Sequence, residues 1–249
     1  MRIVAIFLLA TGLAQINEAP KLSPTGRLKA YYTLCSVQLG GCPPSVVVQD
    51  ANGQVIREFH VIPRGANGQP CMSILNIIWV SDNSIGAECH STPSSSEYIE
   101  TDITTGKVFR ELSGLFFTPS PDGKHIAHIG PIPHFAPPNA KSYYLQVDGV
   151  TIYPLRRGLN PSQTRDQSPP NVVESKGDTW VGIHYIDTLI WSSDSKSVEF
   201  NDCTYDWTPA FPSDNLGNES NRRCRYLKVA LNGSVTRIPI HKNAPVTSW

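Results

Sequence analysis

The sequence predicts an all-β protein built from about four repeated units of short antiparallel strands. Three observations predict it. Tight polar turns separate short runs of β-branched and aromatic residues along the chain. One order of runs and turns recurs four times. No segment places apolar residues at helical spacing between recognisable caps. At 249 residues, one all-β domain can occupy the whole length. A hydrophobic content of 40% excludes a disordered chain, and 21 Pro with 18 Gly supply turns without making the sequence low-complexity.

The first element is an address. Met1-Arg2 precedes the apolar run Ile3–Ala10, and Gly12-Leu13-Ala14 follows with small residues where a signal peptidase reads them. Residues 1–14 are therefore expected to be a signal peptide cleaved after Ala14, which makes the protein secreted or periplasmic. The run is shorter than the roughly 20 residues a membrane span needs, and no later stretch reaches that length. No Cys follows the cleavage site, so no lipid anchor is expected. The 21 Lys+Arg balance the 21 Asp+Glu; losing Arg2 leaves 20 against 21, a net charge of −1. A nucleic-acid partner would need a basic stripe, and an anionic membrane surface a polybasic cluster, so neither is expected.

The repeat begins with a pair of strands around a turn. Its four copies are Ser23-Pro24-Thr25-Gly26-Arg27-Leu28, Ser81-Asp82-Asn83-Ser84-Ile85, Ser120-Pro121-Asp122-Gly123-Lys124-His125 and Ser192-Ser193-Asp194-Ser195-Lys196-Ser197. A second pair of strands follows each time, around Asp50-Ala51-Asn52-Gly53, Asp102-Ile103-Thr104-Thr105-Gly106, Asp148-Gly149 and Leu231-Asn232-Gly233. Asn-Gly and Asp-Gly favour hairpins because both central residues of a type I′ turn need positive φ. Each unit thus reads strand, turn, strand, longer link, strand, turn, strand. Four antiparallel strands per unit is a β-propeller blade. The first turns sit near 26, 83, 123 and 195, and the expected blades are 16–62, 73–112, 114–155 and 183–240, within a single domain over 15–249.

The third unit carries a resemblance. Phe116-Phe117-Thr118-Pro119-Ser120-Pro121-Asp122-Gly123-Lys124-His125-Ile126-Ala127 resembles the WD-like β-propeller repeats of the bacterial TolB family: an aromatic run, Ser-Pro-Asp-Gly-Lys, two residues, then Ala. Trp191-Ser192-Ser193-Asp194-Ser195-Lys196-Ser197-Val198 is similar but weaker. The resemblance implies a secreted or periplasmic propeller that contacts other proteins. It departs in number, since such propellers usually carry six or more blades and about four are counted here.

Six cysteines fit an oxidising compartment. The repeat places Cys35 and Cys42 on either side of the middle link of the first unit, and Cys203 and Cys224 in the corresponding places of the fourth. Cys35–Cys42 and Cys203–Cys224 are the expected bonds, leaving Cys71–Cys89 by exclusion. Cys35–Cys224, clasping the first blade to the last, is the rival. Two long insertions stand out, 156–182 and 204–222, with the shorter Pro131–Pro138 segment. Tyr205, Trp207 and Phe211, with His134 and Phe135, make these candidate binding loops, because aromatic residues concentrate at interfaces. The bland reading is that they cover one end of the core. Asn218 and Asn232 head glycosylation sequons.

The chain has no G-x-S-x-G, H-E-x-x-H, P-loop, Rossmann fingerprint or C-x-x-C-H motif. No catalytic residue, cofactor or metal ligand is therefore assigned. Asp82, Asp122 and Asp194 recur at equivalent turns, where Asp caps its own backbone. Scattered His residues, His125 and His128 among them, read as ordinary strand residues. The expected function is a non-catalytic binding scaffold with a protein or peptide partner. The alternatives are a glycoside-acting hydrolase on the same scaffold and a half propeller completed by dimerisation.

Overall fold

The computed structural model describes residues 15–16, 19–34, 44–63, 71, 73–92, 95–130, 143–154, 174–176, 179–209 and 217–239. These form antiparallel strands throughout, and no helix occurs among the described residues. The first sheet holds β1 (Gln15–Ile16), β2 (Lys21–Leu22), β3 (Leu28–Leu34), β4 (Ser45–Asp50) and β5 (Val55–His60); β1 and β2 both pair with β3. The second is a meander of β6 (Ile74–Ser81), β7 (Ser84–Thr92), β8 (Ser95–Asp102) and β9 (Val108–Pro119). The third runs from β9 through β10 (Ile126–Ile129) and β11 (Leu145–Val147) to β12 (Val150–Tyr153). The last holds β13 (Glu174–Lys176), β14 (Thr179–Trp191), β15 (Ser197–Pro209), β16 (Gly217–Ala230) and β17 (Val235–Arg237).

The repeat turns form as their residues dictate. Ser23 N–H donates to Leu28 O at 2.9 Å and Gly26 N–H to Ser23 O at 2.8 Å. The same pair of bonds joins Ser120, His125 and Gly123, and again Ser192, Ser197 and Ser195. The third turn residue needs positive φ: 73° at Gly26, 69° at Gly123 and 59° at Ser195, where the fourth copy lacks the glycine. The second copy is tighter, with Asp82 and Asn83 between paired Ser81 and Ser84.

The expected boundary between 112 and 114 is not a gap between strands. β9 serves two sheets: Val108–Gly114 pair with β8 and Leu115–Pro119 with β10. Gly114 lies at the crossing. A Cβ there would overlap the carbonyl of Ile129, and Phe116 two residues on has φ 58°. Ser113-Gly114 is the local mark of the change of partner, and it sits inside a continuous strand.

Consecutive sheets bury one core between each pair. Val46 and Val48 of β4 meet Ile74, Ile77, Ile85 and Ile99. Val80, Tyr98 and Leu112 meet Phe117 and Ile126. Ala127, Ile129, Leu145 and Val147 meet Ile186, Phe200, Leu227 and Val229. Burying each large side chain contributes about 1.5–3 kcal/mol against leaving it in water. Among the described residues no such cluster joins the fourth sheet to the first. Their outward faces are mixed, with Val47 of β4 and Tyr226 of β16 buried there beside polar pairs. Gln49 bonds Tyr31 Oη at 3.1 Å, and Ser45 links Thr33 to Glu58. On the fourth sheet Lys228 pairs with Glu199, whose carboxylate also accepts from Tyr226 Oη at 3.2 Å.

Residues 204–222 are not the expected long loop. β15 and β16 continue to Pro209 and Gly217, with Asp206 opposite Ser220, Trp207 opposite Glu219 and Thr208 opposite Asn218. The stretch Asn218–Arg222 is polar because its side chains are exposed in the strand, which imitates loop composition. The second insertion shrinks likewise, since Glu174–Lys176 and the start of β14 are strands. Cys35, Cys42, His134, Phe135, Phe211, the expected signal 1–14 and residues 155–173 lie outside the described residues.

Candidate functional site

The long strands β14, β15 and β16 make a three-stranded arm. The Cys203–Cys224 disulfide joins directly opposed residues of β15 and β16, with Cα atoms 4.1 Å apart, close to the spacing of a non-hydrogen-bonded antiparallel pair. A second disulfide, Cys71–Cys89, ties the entry of β6 to β7. Asp206 organises the outer half of the arm. It accepts from Gly182 N–H at 2.9 Å and from Asn221 Nδ2 at 2.8 Å, and both partners sit at irregular positions with φ of 75° and 54°. These bonds, Asn221 foremost, hold the Asp206 carboxyl below its usual range.

One face of the arm is aromatic. Tyr185 meets Tyr205 edge-on at 5.4 Å and Tyr143 at 6.4 Å, and the Arg222 guanidinium stands 5.1 Å over the Tyr185 ring. Burial pushes the Tyr205 hydroxyl up to about 12, so it stays a hydrogen-bond donor at neutral pH. Trp207 is half-buried on β15, opposite Glu219. Thus Tyr205 and Trp207 are strand residues on a stiff ribbon. Asn218 is exposed on β16. Asn232 accepts from Ser234 N–H at 3.0 Å as a turn residue.

The opposite face holds a buried carboxylate. Asp202, 1% exposed, takes Tyr153 Oη at 2.8 Å and Arg225 Nε at 3.1 Å on one oxygen, and His184 Nε2 on the other. Burial works to raise its pKa. The bonds from His184, Tyr153 and Arg225 outweigh that and hold it below the usual carboxylate value. Both oxygens of Asp202 are engaged, which suits a positioning network better than a nucleophile. No local spacing announces this network, because residues 153, 184, 202 and 225 come from four strands. Its one signal is the disulfide: pairing Cys203 with Cys224 forces Asp202 opposite Arg225.

A second network closes the seam between the second and third sheets. Glu100, 1% exposed, accepts from Ser84 Oγ at 3.0 Å and lies 3.4 Å from Arg110 Nη1, which is equally close to Asp148. Asp148 accepts from Ile126 N–H at 2.9 Å and holds His125 Nδ1 at 2.7 Å. Burial pushes the Glu100 carboxyl up, against Arg110. Glu100 is too enclosed to reach a substrate. His128 is buried on Phe117, and burial lowers its pKa to about 4, so it is neutral. The turn carboxylates cap backbones: Asp122 takes Ser120 Oγ at 2.6 Å and Lys124 N–H at 3.2 Å, and Asp194 takes Ser192 Oγ at 2.7 Å and Lys196 N–H at 3.1 Å. Asp82 instead reaches the first sheet, accepting from Thr25 N–H at 3.2 Å and Arg27 at 2.9 Å. Among the described residues no group of three or more His, Cys, Asp or Glu is placed to hold a metal. No described helix is long and apolar enough to cross a membrane.

No protein-family model matches the chain, and no curated protein matches it. Among solved structures, it is similar to hydrazine synthase of Kuenenia stuttgartiensis at 15% identity and a TM-score of 0.39, over 89% of this chain and 53% of that one. It is also similar to a TolB protein from Agrobacterium tumefaciens, at 14% identity and a TM-score of 0.36, over 91% of this chain and 66% of that one. The chain therefore spans about half the length of the first and just under two thirds of the second.

Proposed function

We propose that this protein is an exported, non-catalytic binding scaffold of four propeller-like blades arranged as an arc, with the β14–β16 arm as its contact surface. Two disulfides and the N-terminal signal pattern support export. The aromatic face of the arm carries the reading. Tyr143, Tyr185, Tyr205 and Arg222 form a preorganised patch on a cross-linked ribbon, and Tyr and Arg are enriched where binding energy concentrates. The engaged carboxylates support it too, since Asp202, Asp122 and Asp194 each hold structure together. An arc is favoured because no apolar cluster among the described residues joins the fourth sheet to the first. The partner is a protein or peptide.

The test is capture of partners from an envelope or secretome extract by the mature protein, repeated with Tyr205→Ala and Trp207→Ala. Partners that survive both substitutions at unchanged yield would overturn the arm as the contact surface. The hydrolase alternative requires turnover of a glycoside panel by the purified chain.

A further inference from the structure

Among the described residues, the outer edge of β16 is open over most of the arm. β17 pairs only with Leu227, Lys228 and Val229, and the last bond across that edge is Ile238 N–H to Tyr226 O at 3.1 Å. From Gly217 to Arg225 no described strand lies beside it. In an antiparallel sheet, a residue in a non-hydrogen-bonded pair turns its N–H and C=O to the other side. Cys224 is such a residue, opposite Cys203, so its backbone groups face outward. Tyr226, two residues on, behaves the same way when it accepts from Ile238. The irregular Asn221 at φ 54° ends the regular edge, leaving Arg222–Arg225 as a short straight template that the disulfide holds extended.

The charge on this template is of one sign. Arg222, Arg223 and Arg225 fall within four positions, and all are exposed. Arg225 neutralises Asp202, whereas Arg222 and Arg223 have no ion pair among the described residues. Alternation puts Arg223 on the Asp202 face and Arg222 on the Tyr185 face, so unpaired guanidiniums flank the edge from both sides.

We propose that the Arg222–Arg225 edge takes an extended acidic peptide as an added strand. The proposal rests on the binding-scaffold reading and names a site and a partner chemistry for it. Backbone bonds to Cys224 supply the docking, and neighbouring Asp or Glu residues of the partner, pointing to opposite faces, meet Arg223 and Arg222. Two other occupants fit the edge less well. Residues 240–249 of the chain itself carry His241 and Lys242 and no acidic residue, so they repel the same arginines. A second copy pairing antiparallel about Asn221 would set Glu219 against Arg223, but its ladder would break at the irregular residue.

Fluorescence anisotropy with the mature full-length protein tests this, using a labelled synthetic peptide of repeated Glu-Asp-Thr-Val. The expected result is saturable binding that weakens with added salt, falls about tenfold or more in the Arg222→Gln/Arg223→Gln double variant, and vanishes for a peptide carrying N-methyl groups at alternate amides. Lys124→Gln, which removes an exposed charge from a repeat turn outside the arm, is expected to leave it unchanged, which separates this edge from general attraction to positive charge. The proposal fails if the Gln-Asn-Thr-Val peptide binds as well, or if N-methylation has no effect. It also fails if binding appears only in a chain ending at residue 239, or if sedimentation shows a dimer that Arg223→Glu dissolves; those outcomes assign the edge to the tail or to a second copy.

Discussion

At the scale of single residues, Asp202 gives the sharpest expectation. Removing one member of a buried charged network leaves the others unpaired, so Asp202→Ala is expected to cost about 3 kcal/mol in urea unfolding. Its pKa is lowered by folding, so its stabilisation is present above the unfolded value of 3.8 and is lost as pH falls through the lower folded value. The stability gap between the parent and Asp202→Asn should therefore hold at neutral pH and close below about pH 4. Tyr153→Phe, which removes a single donor, is expected to cost about 1 kcal/mol. None of this was legible as a motif, because Asp202 and its partners converge only once the strands are in register. The turn residues were legible: Asp122 and Asp194 cap their own loops, so their roles follow from three or four neighbouring letters.

At the scale of elements, Gly86 on β7 and Gly130 just past β10 show how the sheets accept large rings. A Cβ on Gly86 would overlap the Tyr98 ring, and one on Gly130 the Tyr144 ring. Each tyrosine lies across a glycine of a neighbouring segment, so Gly86→Ala is expected to cost about 2 kcal/mol by overpacking, measured by thermal unfolding. The Cys203–Cys224 bond closes a span of 21 residues, and Cys203→Ser/Cys224→Ser is expected to lose about 3 kcal/mol. Faster amide exchange should be confined to the arm, because Ile186, Phe200 and Leu227 keep the inner half packed. Strand order within the units could be read from Asn-Gly and Asp-Gly turns, but the arm could not. Its outer strands carry exposed polar residues such as Asn218, Glu219 and Ser220, and strand composition is recognisable only where one face is buried.

At the scale of the whole molecule, the described residues form four successive sheets with three shared cores. Leu22, 65% exposed, and Ile190, 42% exposed, are open apolar side chains on the first and fourth sheets. Leu22→Lys and Ile190→Lys are therefore expected to change stability by less than about 0.5 kcal/mol; a large loss in either would show that the side chain is covered. Four Ser-initiated turns and four Gly-ended hairpin turns made the row visible in the sequence, while its ends were not, since polar pairs such as Tyr31–Gln49 look like ordinary surface. The strand that belongs to two sheets has a practical consequence for cutting the molecule. Two fragments parted within Val108–Pro119 each inherit half a beam and an unfinished sheet, whereas a cut in residues 155–173 leaves the third sheet and the fourth whole. Co-expressed halves should reassemble from the second division and not from the first.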